Sequence, residues 1–159
     1  MNEQPLRFRR MTLGDIDCVI KVENEVYQFP WTEQIFSDCI RVGYLCWMAS
    51  RVDTVVGHAV ISITPGESHM LNLSIAKIYQ GNGYGRQFIE FLIRVAGENQ
   101  AETMLLEVRP SNIPAINCYN SSGFNEIGCR KDYYPSPDGR EDALLFARHI
   151  PPQSDALYS

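Results

Sequence analysis

The sequence predicts a single mixed α/β domain, and three observations carry that expectation. Apolar residues recur with helical period in four stretches and with β-rich patterning in seven, in the order β-α-α-β-β-β-α-β-α-β-β. Proline, glycine and aspartate breakers separate these stretches. A length of 159 residues with 45% hydrophobic and 11% aromatic content suffices for one core and lies far from the composition of a disordered tail. Hairpins come early, and a strand-helix-strand-helix-strand unit comes late.

Each element has its own warrant. Leu6, Phe8 and Arg10 alternate with their neighbours as a first strand. Thr12 and Asp15 can cap a helix whose face holds Ile16, Val19, Ile20, Glu23, Val26 and Tyr27. Phe29-Pro30-Trp31-Thr32 breaks it, and Thr32 can cap a second helix turning Ile35, Phe36, Cys39 and Ile40 inward. Tyr44 to Ser50 and Val55 to Ile63 read as a hairpin turning at Asp53-Thr54. Ser68 to Ile75 follows as a strand in which Met70, Leu71, Leu73 and Ile75 break clean alternation, as a β-bulge or burial on both faces would. Tyr79 to Arg86 reads as a glycine-rich loop, and Phe88, Phe91, Leu92 and Val95 mark the helix behind it, ending near Gly97. Thr103 to Val108 is a buried strand. Ser111-Asn112 caps a helix that tolerates Pro114 and stops at Gly123. Asn125 to Tyr133 and Asp142 to His149 close the fold around a turn at Pro135 to Gly139. Residues 1–150 are expected as one domain and 151–159 as a loose tail.

Charge and cysteine usage exclude several function classes. A net charge of -5 with no basic run argues against nucleic-acid recognition through phosphate neutralisation. An amine or cationic acceptor suits that sign better. Cys18, Cys39, Cys46, Cys118 and Cys129 form neither a disulfide framework nor a zinc signature, so a reducing cytoplasm is expected and most should be small core residues. His58, His69 and His149 are too dispersed for a metal cluster. No apolar window is long enough to span a membrane, and the N-terminus lacks an export signal.

Three features can carry chemistry. Gly81, Gly83 and Gly85 free the backbone to aim several N–H groups at one anion, with a helix N-terminus behind them. A plain flexible turn is the alternative. The loop lacks the lysine and hydroxyl of a Walker motif, and a nicotinamide site would need a second parallel unit. Glu107 is the one acid in Met104-Leu105-Leu106-Glu107-Val108, where partial desolvation suits a general base, although a solvent-facing residue or a partner for Arg109 would look the same. Tyr119, two turns into its helix, can donate a proton to a leaving group or simply fill the core. The aromatic loop from Tyr27 to Trp31, and Tyr133 with Tyr134 beside Asp138, Glu141 and Asp142, can line a recognition groove or close the core.

Gln80-Gly81-Asn82-Gly83-Tyr84-Gly85 resembles the phosphate loop of the GCN5-related N-acetyltransferase (GNAT) superfamily, whose element order matches nearly the whole chain. Phe29-Pro30-Trp31, Asn72 to Ile75, Leu106-Glu107-Val108-Arg109-Pro110-Ser111-Asn112, Ala115 to Tyr119 with Gly123-Phe124, and Arg130 to Tyr134 with Asp138 to Ala143 resemble its bacterial branch that acetylates the N-terminal alanine of small-subunit ribosomal protein eighteen. Two places depart from the common pattern: Gly81 follows the glutamine where a basic residue is frequent, and Ala76-Lys77-Ile78 lacks an Asp-Pro turn.

The resemblance implies a mostly antiparallel mixed sheet, flanked by helices, splayed between its fourth and fifth strands around acetyl-CoA. Leu73, Ser74 and Ile75 would take the pantetheine arm and polarise the thioester. Gly81, Asn82, Gly83, Tyr84, Gly85 and Arg86 would hold the pyrophosphate, and Asn112 would contact the pantetheine. Glu107 would be the base and Tyr119 the acid, with Trp31, Tyr133 and Tyr134 shaping the acceptor cleft. No metal enters, and a cytoplasmic monomer is implied. An α-amine with a pKa of roughly 7.7 to 8.0 is easier to deprotonate at neutral pH than a lysine near 10.4 by about 3.5 kcal/mol, which suits a single carboxylate. A small-amine acceptor or broader protein N-termini remain rivals, as does a module that senses acetyl-CoA without turnover.

Overall fold

The computed structural model describes residues 5–152. The elements follow as β1 (Arg7–Arg10), α1 (Ile16–Val26), α2 (Glu33–Val42), β2 (Leu45–Arg51), β3 (Thr54–Thr64), β4 (Gly66–Ile75), α3 (Tyr84–Glu98), β5 (Ala101–Val108), α4 (Ile113–Ser121), β6 (Asn125–Ser136) and β7 (Gly139–His149). This is the expected order, with helices flanking one sheet of strand order β1-β2-β3-β4-β5-β7-β6. The tail from residue 153 onward lies outside the described residues. Among those described, no helix is long and apolar enough to cross a membrane.

Pairing is antiparallel for β1–β2, β2–β3, β5–β7 and β6–β7. It is parallel for β4–β5, whose crossover is supplied by α3. That parallel ladder runs from Gly66↔Ala101 to Met70↔Leu106 and stops there, while β4 continues to Ile75 and β5 to Val108. A splay between the fourth and fifth strands requires such an ending.

The chain divides into two compact units. One takes in the chain to Ser62 and Leu71–Phe88; the other takes in Ile63–Met70 and the chain from Ile89. In the first, Met11, Ile16, Val19, Phe36, Cys39, Cys46, Met48 and Val60 form a core, with Trp31 packed against it. In the second, Leu92, Met104, Leu106, Phe124 and Phe146 are buried.

Local chemistry sets the ends of the elements. The Asp15 carboxylate reaches back to the Thr12 N–H at 2.8 Å, closing a 3-10 turn that leads into α1. Arg9 grips both oxygens of Asp15 at 2.8 Å, and that hydrogen bond is the largest cause of the Asp15 pKa falling from 3.8 to about 2. A carboxylate held below its unfolded value stabilises the native state above pH ~4, and the contribution is lost as pH falls toward 2. With Arg9 half exposed, its size is at most about 1 kcal/mol. Urea midpoints at pH 6 and pH 3 should therefore draw closer in Arg9→Ala than in the parent; an unchanged pH dependence would contradict this.

Several expectations are corrected. Ile35 lies at the exposed edge of α2, while Phe36 and Cys39 fill the core. The last hairpin is tighter than expected: Ser136 pairs with Gly139, leaving only Pro137 and Asp138 between the strands. Only Cys39 and Cys46 are buried, whereas Cys18 and Cys129 are exposed. Helix α3 begins at Tyr84, so Tyr84, Gly85 and Arg86 form its first turn rather than loop. The irregularity of β4 against β5 falls between Gly66 and Glu67, not at Met70. Along β4 alternation holds: Ser68, Met70, Asn72 and Ser74 are buried while His69, Leu71 and Leu73 are less so. The inward face is polar, which hid the pattern.

Candidate active site

In the first unit, the loop between β4 and α3 carries the glycines expected to hold an anion. Gly81 and Gly83 adopt φ of +81° and +82°, and no atom lies within 4 Å of where a Cβ would stand on either. Only glycine takes such angles without strain. Asn82 braces the loop from inside, its Nδ2 donating to the Tyr79 and Gln80 carbonyls at 3.1 and 3.3 Å. Gln80 ties the loop to the end of β4 through Ile75 O at 2.9 Å. The loop opens into the first turn of α3, whose leading N–H groups have no acceptor within the helix. Tyr84 is buried, so it offers its N–H and not its side chain, while Arg86 is exposed. The cradle fits a pyrophosphate.

The end of β4, which the resemblance assigns to the pantetheine arm, is tied to α1. The Ser74 side chain is buried and donates to Glu23 Oε1 at 2.9 Å, and Leu73 O accepts the Tyr27 hydroxyl at 2.5 Å. Burial, then the Glu23 charge, pushes the Tyr27 phenol up to about 12, so it stays a donor across the working pH range. Gly57 makes the close approach to β4 possible, since a Cβ there would stand 2.2 Å from Ser74 O. Trp31 is half-buried, with its ring 5.2 Å from that of Phe36 and its backbone N–H donating to Glu23 Oε2 at 3.1 Å. Tyr27 thus turns inward from the expected exposed aromatic loop, while Phe29 stays exposed.

Gly83→Val should weaken CoA binding at least tenfold in titration calorimetry, by filling the open side of the cradle. Gly43 caps α2 at φ +91° with equal space around it, so Gly43→Val carries similar strain away from the loop. Equal loss of CoA affinity in both variants would assign the effect to strain alone.

The second unit collects the remaining candidates. Glu107 sits near the end of β5, opposite Leu145, with its side chain 22% exposed. Its buried Oε2 has no hydrogen bond and lies 3.5 Å from Arg130 Nε. The ion-pair partner is therefore Arg130, not Arg109. Arg109 donates to Pro135 O at 2.6 Å and to Glu141 Oε1 at 3.3 Å, and it lies 4.4 Å over the Tyr134 ring. Glu141 Oε2 also accepts the Ser111 N–H at 2.9 Å, so one carboxylate ties the entry of α4 to the last hairpin.

Tyr133 packs edge-on against Tyr134 at 4.9 Å. Its phenol is raised by desolvation first and then by the neighbouring Glu107 carboxylate. The strand is bulged here: two extra residues are accommodated between Arg130↔Ala143 and Tyr134↔Glu141. Asp132 takes φ +53° in the bulge, with its N–H donating to Asp142 Oδ1 at 3.0 Å. Sequence patterning did not reveal this device, because Asp132 is not glycine.

Asn112 caps α4, its Oδ1 accepting from Ala115 N at 3.3 Å. Tyr119 is buried, with its ring 5.9 Å from Phe124 and 6.3 Å from Phe146. The structure thus groups Glu107, Arg130, Tyr133 and Tyr134 in one unit, and Trp31, Leu73–Ile75 and the glycine loop in the other. The residue that sequence reasoning missed is Glu23, read only as one point on the face of α1. An acid on an otherwise apolar helical face was the available signal. Among the described residues, no three His, Cys, Asp or Glu side chains are placed to hold a metal ion.

Comparison with known proteins places these features in context. The model of the acetyltransferase (GNAT) family matches residues 15–124. The [ribosomal protein bS18]-alanine N-acetyltransferase of Escherichia coli K12 is 35% identical over 136 residues, covering 86% of this chain and 92% of that protein. Its Haemophilus influenzae counterpart is 31% identical over 137 residues, covering 86% and 93%. The crystal structure of the ribosomal-protein-S18-alanine N-acetyltransferase from Escherichia coli matches with a TM-score of 0.84 at 32% identity, over 91% of this chain and 94% of that one. Ard1 from Thermoplasma volcanium shares the fold, with a TM-score of 0.82 at 21% identity over 92% and 98%.

Proposed function

The chain belongs to the GNAT acetyltransferase family, whose cosubstrate is acetyl-CoA, and from that premise we propose that it acetylates the α-amine of a protein N-terminus, the N-terminal alanine of ribosomal protein bS18. The observation that carries the chemistry is Glu107, a mostly buried strand carboxylate with one oxygen lacking a hydrogen bond. That oxygen keeps only the long contact to the half-exposed Arg130 guanidinium, so it has room to accept a proton from an incoming ammonium. The acceptor is supported by relatives that share the chain's length and are named for that alanine.

Glu107 takes a proton from the α-ammonium, directly or through water. The freed amine attacks the thioester carbonyl while backbone N–H groups of Leu73, Ser74 and Ile75 stabilise the charge developing on its oxygen. As the new C–N bond forms and the C–S bond breaks, Tyr119 passes its proton to the departing thiolate, and the second proton of the attacking nitrogen leaves through water to restore the Tyr119 phenol. The N–H groups of Gly81 to Arg86 hold the pyrophosphate, and the Asn112 amide meets the pantetheine arm. Trp31, Tyr133 and Tyr134 shape the acceptor's path. Residues 1–150 act as one catalytic domain in this reading, since the family match draws on both units. A monomer in the cytoplasm, where ribosomal proteins are made, suffices for this task.

Initial rates with acetyl-CoA test the acceptor. A peptide bearing the first residues of bS18 should be acetylated at least tenfold faster than a polyamine such as spermidine. Faster transfer to the polyamine would replace the protein acceptor with a small amine, and binding of acetyl-CoA without any transfer would leave a sensing module.

A further inference from the structure

We infer that Glu23 is a positioning residue that couples occupancy of the cofactor strand to order in the acceptor loop, an inference that rests on the acceptor reading above. Glu23 lies on the last turns of α1 and is 1% exposed. Its Oε1 accepts from His58 Nε2 at 3.0 Å, Ser74 Oγ at 2.9 Å and Asn72 Nδ2 at 3.2 Å. Its Oε2 accepts from Asn72 Nδ2 and Trp31 N, both at 3.1 Å. A carboxylate only accepts, so the Nε2 of His58 carries a proton here.

Burying a carboxylate is costly, and a well-packed apolar residue often serves stability as well or better. What this carboxylate does that an apolar residue cannot is hydrogen-bond two separate segments at once. Trp31 N–H belongs to the loop between α1 and α2, while Asn72 and Ser74 flank Leu73 on the part of β4 beyond the end of its ladder with β5. The same end of α1 grips that segment twice more. Tyr27, one turn after Glu23, donates to Leu73 O at 2.5 Å, and Glu25 Oε1 accepts the Lys77 N–H at 2.8 Å. Residues 72–77 are therefore held by α1 on one side and by β3 on the other, and the Trp31 loop is tied to the same carboxylate. A ligand that fixes Leu73–Ile75 fixes the Glu23 donors, and so lowers the ordering cost for a second ligand at Trp31.

The test measures affinity of an alanine-starting bS18 peptide by titration calorimetry with and without saturating CoA, which binds without turnover. In the parent protein CoA should tighten peptide binding by about tenfold, within the usual range of coupling between sites. Glu23→Gln keeps the shape but turns an amide donor toward the Asn72 and Trp31 donors or the His58 and Ser74 donors. Each ligand should still bind it alone, with the coupling factor falling toward one. Ser74→Ala removes one donor with little change in volume, and should lower the factor partway should Glu23→Gln fail to fold. A merely structural role would lower the melting temperature and both affinities while leaving their ratio intact. Undiminished coupling in the variants, or none in the parent, overturns the inference alone. A peptide that neither binds nor is acetylated overturns the acceptor reading and the inference with it.

Discussion

Replacing Glu107 by glutamine should lower the rate of acetyl transfer by about a hundredfold or more, the usual yield of a positioned general base. The amide matches the carboxylate in shape, and the lost Arg130 partner is more than half exposed, so the fold should lose little stability. Affinity for CoA should stay within about twofold of the parent, because the phosphate cradle and Asn112 are untouched. The deficit should also depend on pH. Below about 7.7 the α-amine is mostly protonated and needs the base; above it the amine is increasingly free. The ratio of parental to variant rates should therefore shrink as pH rises through 8 to 9. A variant that keeps the parental rate at pH 7, or a deficit that does not move with pH, would remove Glu107 from proton transfer.

Tyr119→Phe should lower the rate by roughly ten- to a hundredfold, the effect of losing a general acid at a thiolate that can leave unaided with difficulty. The ring contacts with Phe124 and Phe146 are kept in the variant, so its melting temperature should stay close to that of the parent. A thioester whose thiol is more acidic needs less protonation on departure. With such a donor the deficit of Tyr119→Phe should narrow, whereas that of Glu107→Gln should not. Equal deficits with both donors would make Tyr119 a packing residue, the role its burial alone would give it.

The element order was legible because breakers stand between the elements, whereas the splay between the fourth and fifth strands came only from the family resemblance. Two of the details that escaped share one cause: a polar residue whose partner is far away in sequence. Asn72 and Ser74 spoil the alternation of β4 only until Glu23, about fifty positions earlier, is known to meet them. Arg109 stands two residues after Glu107, a spacing that shares one face along a strand, but β5 ends at Val108 and Arg109 turns to Pro135 O and Glu141, so Arg130 of β6 reaches Glu107 instead. The last hairpin was drawn too wide because proline at 135 read as a breaker; its carbonyl is in fact held by Arg109, and pairing continues through it. Tyr84 and Arg86 were assigned to the loop because Gly85 lies between them, yet its φ is not in the left-handed region and the helix passes through.

The central claim is that a terminal α-amine, not a side-chain amine, receives the acetyl group. One peptide beginning with alanine and carrying an internal lysine should be incubated with acetyl-CoA at neutral pH, and the product fragmented in a mass spectrometer. The account predicts a single acetyl group on the first residue, with Glu107→Gln leaving the peptide largely unmodified. Acetyl on the lysine, with the terminus untouched, would contradict it.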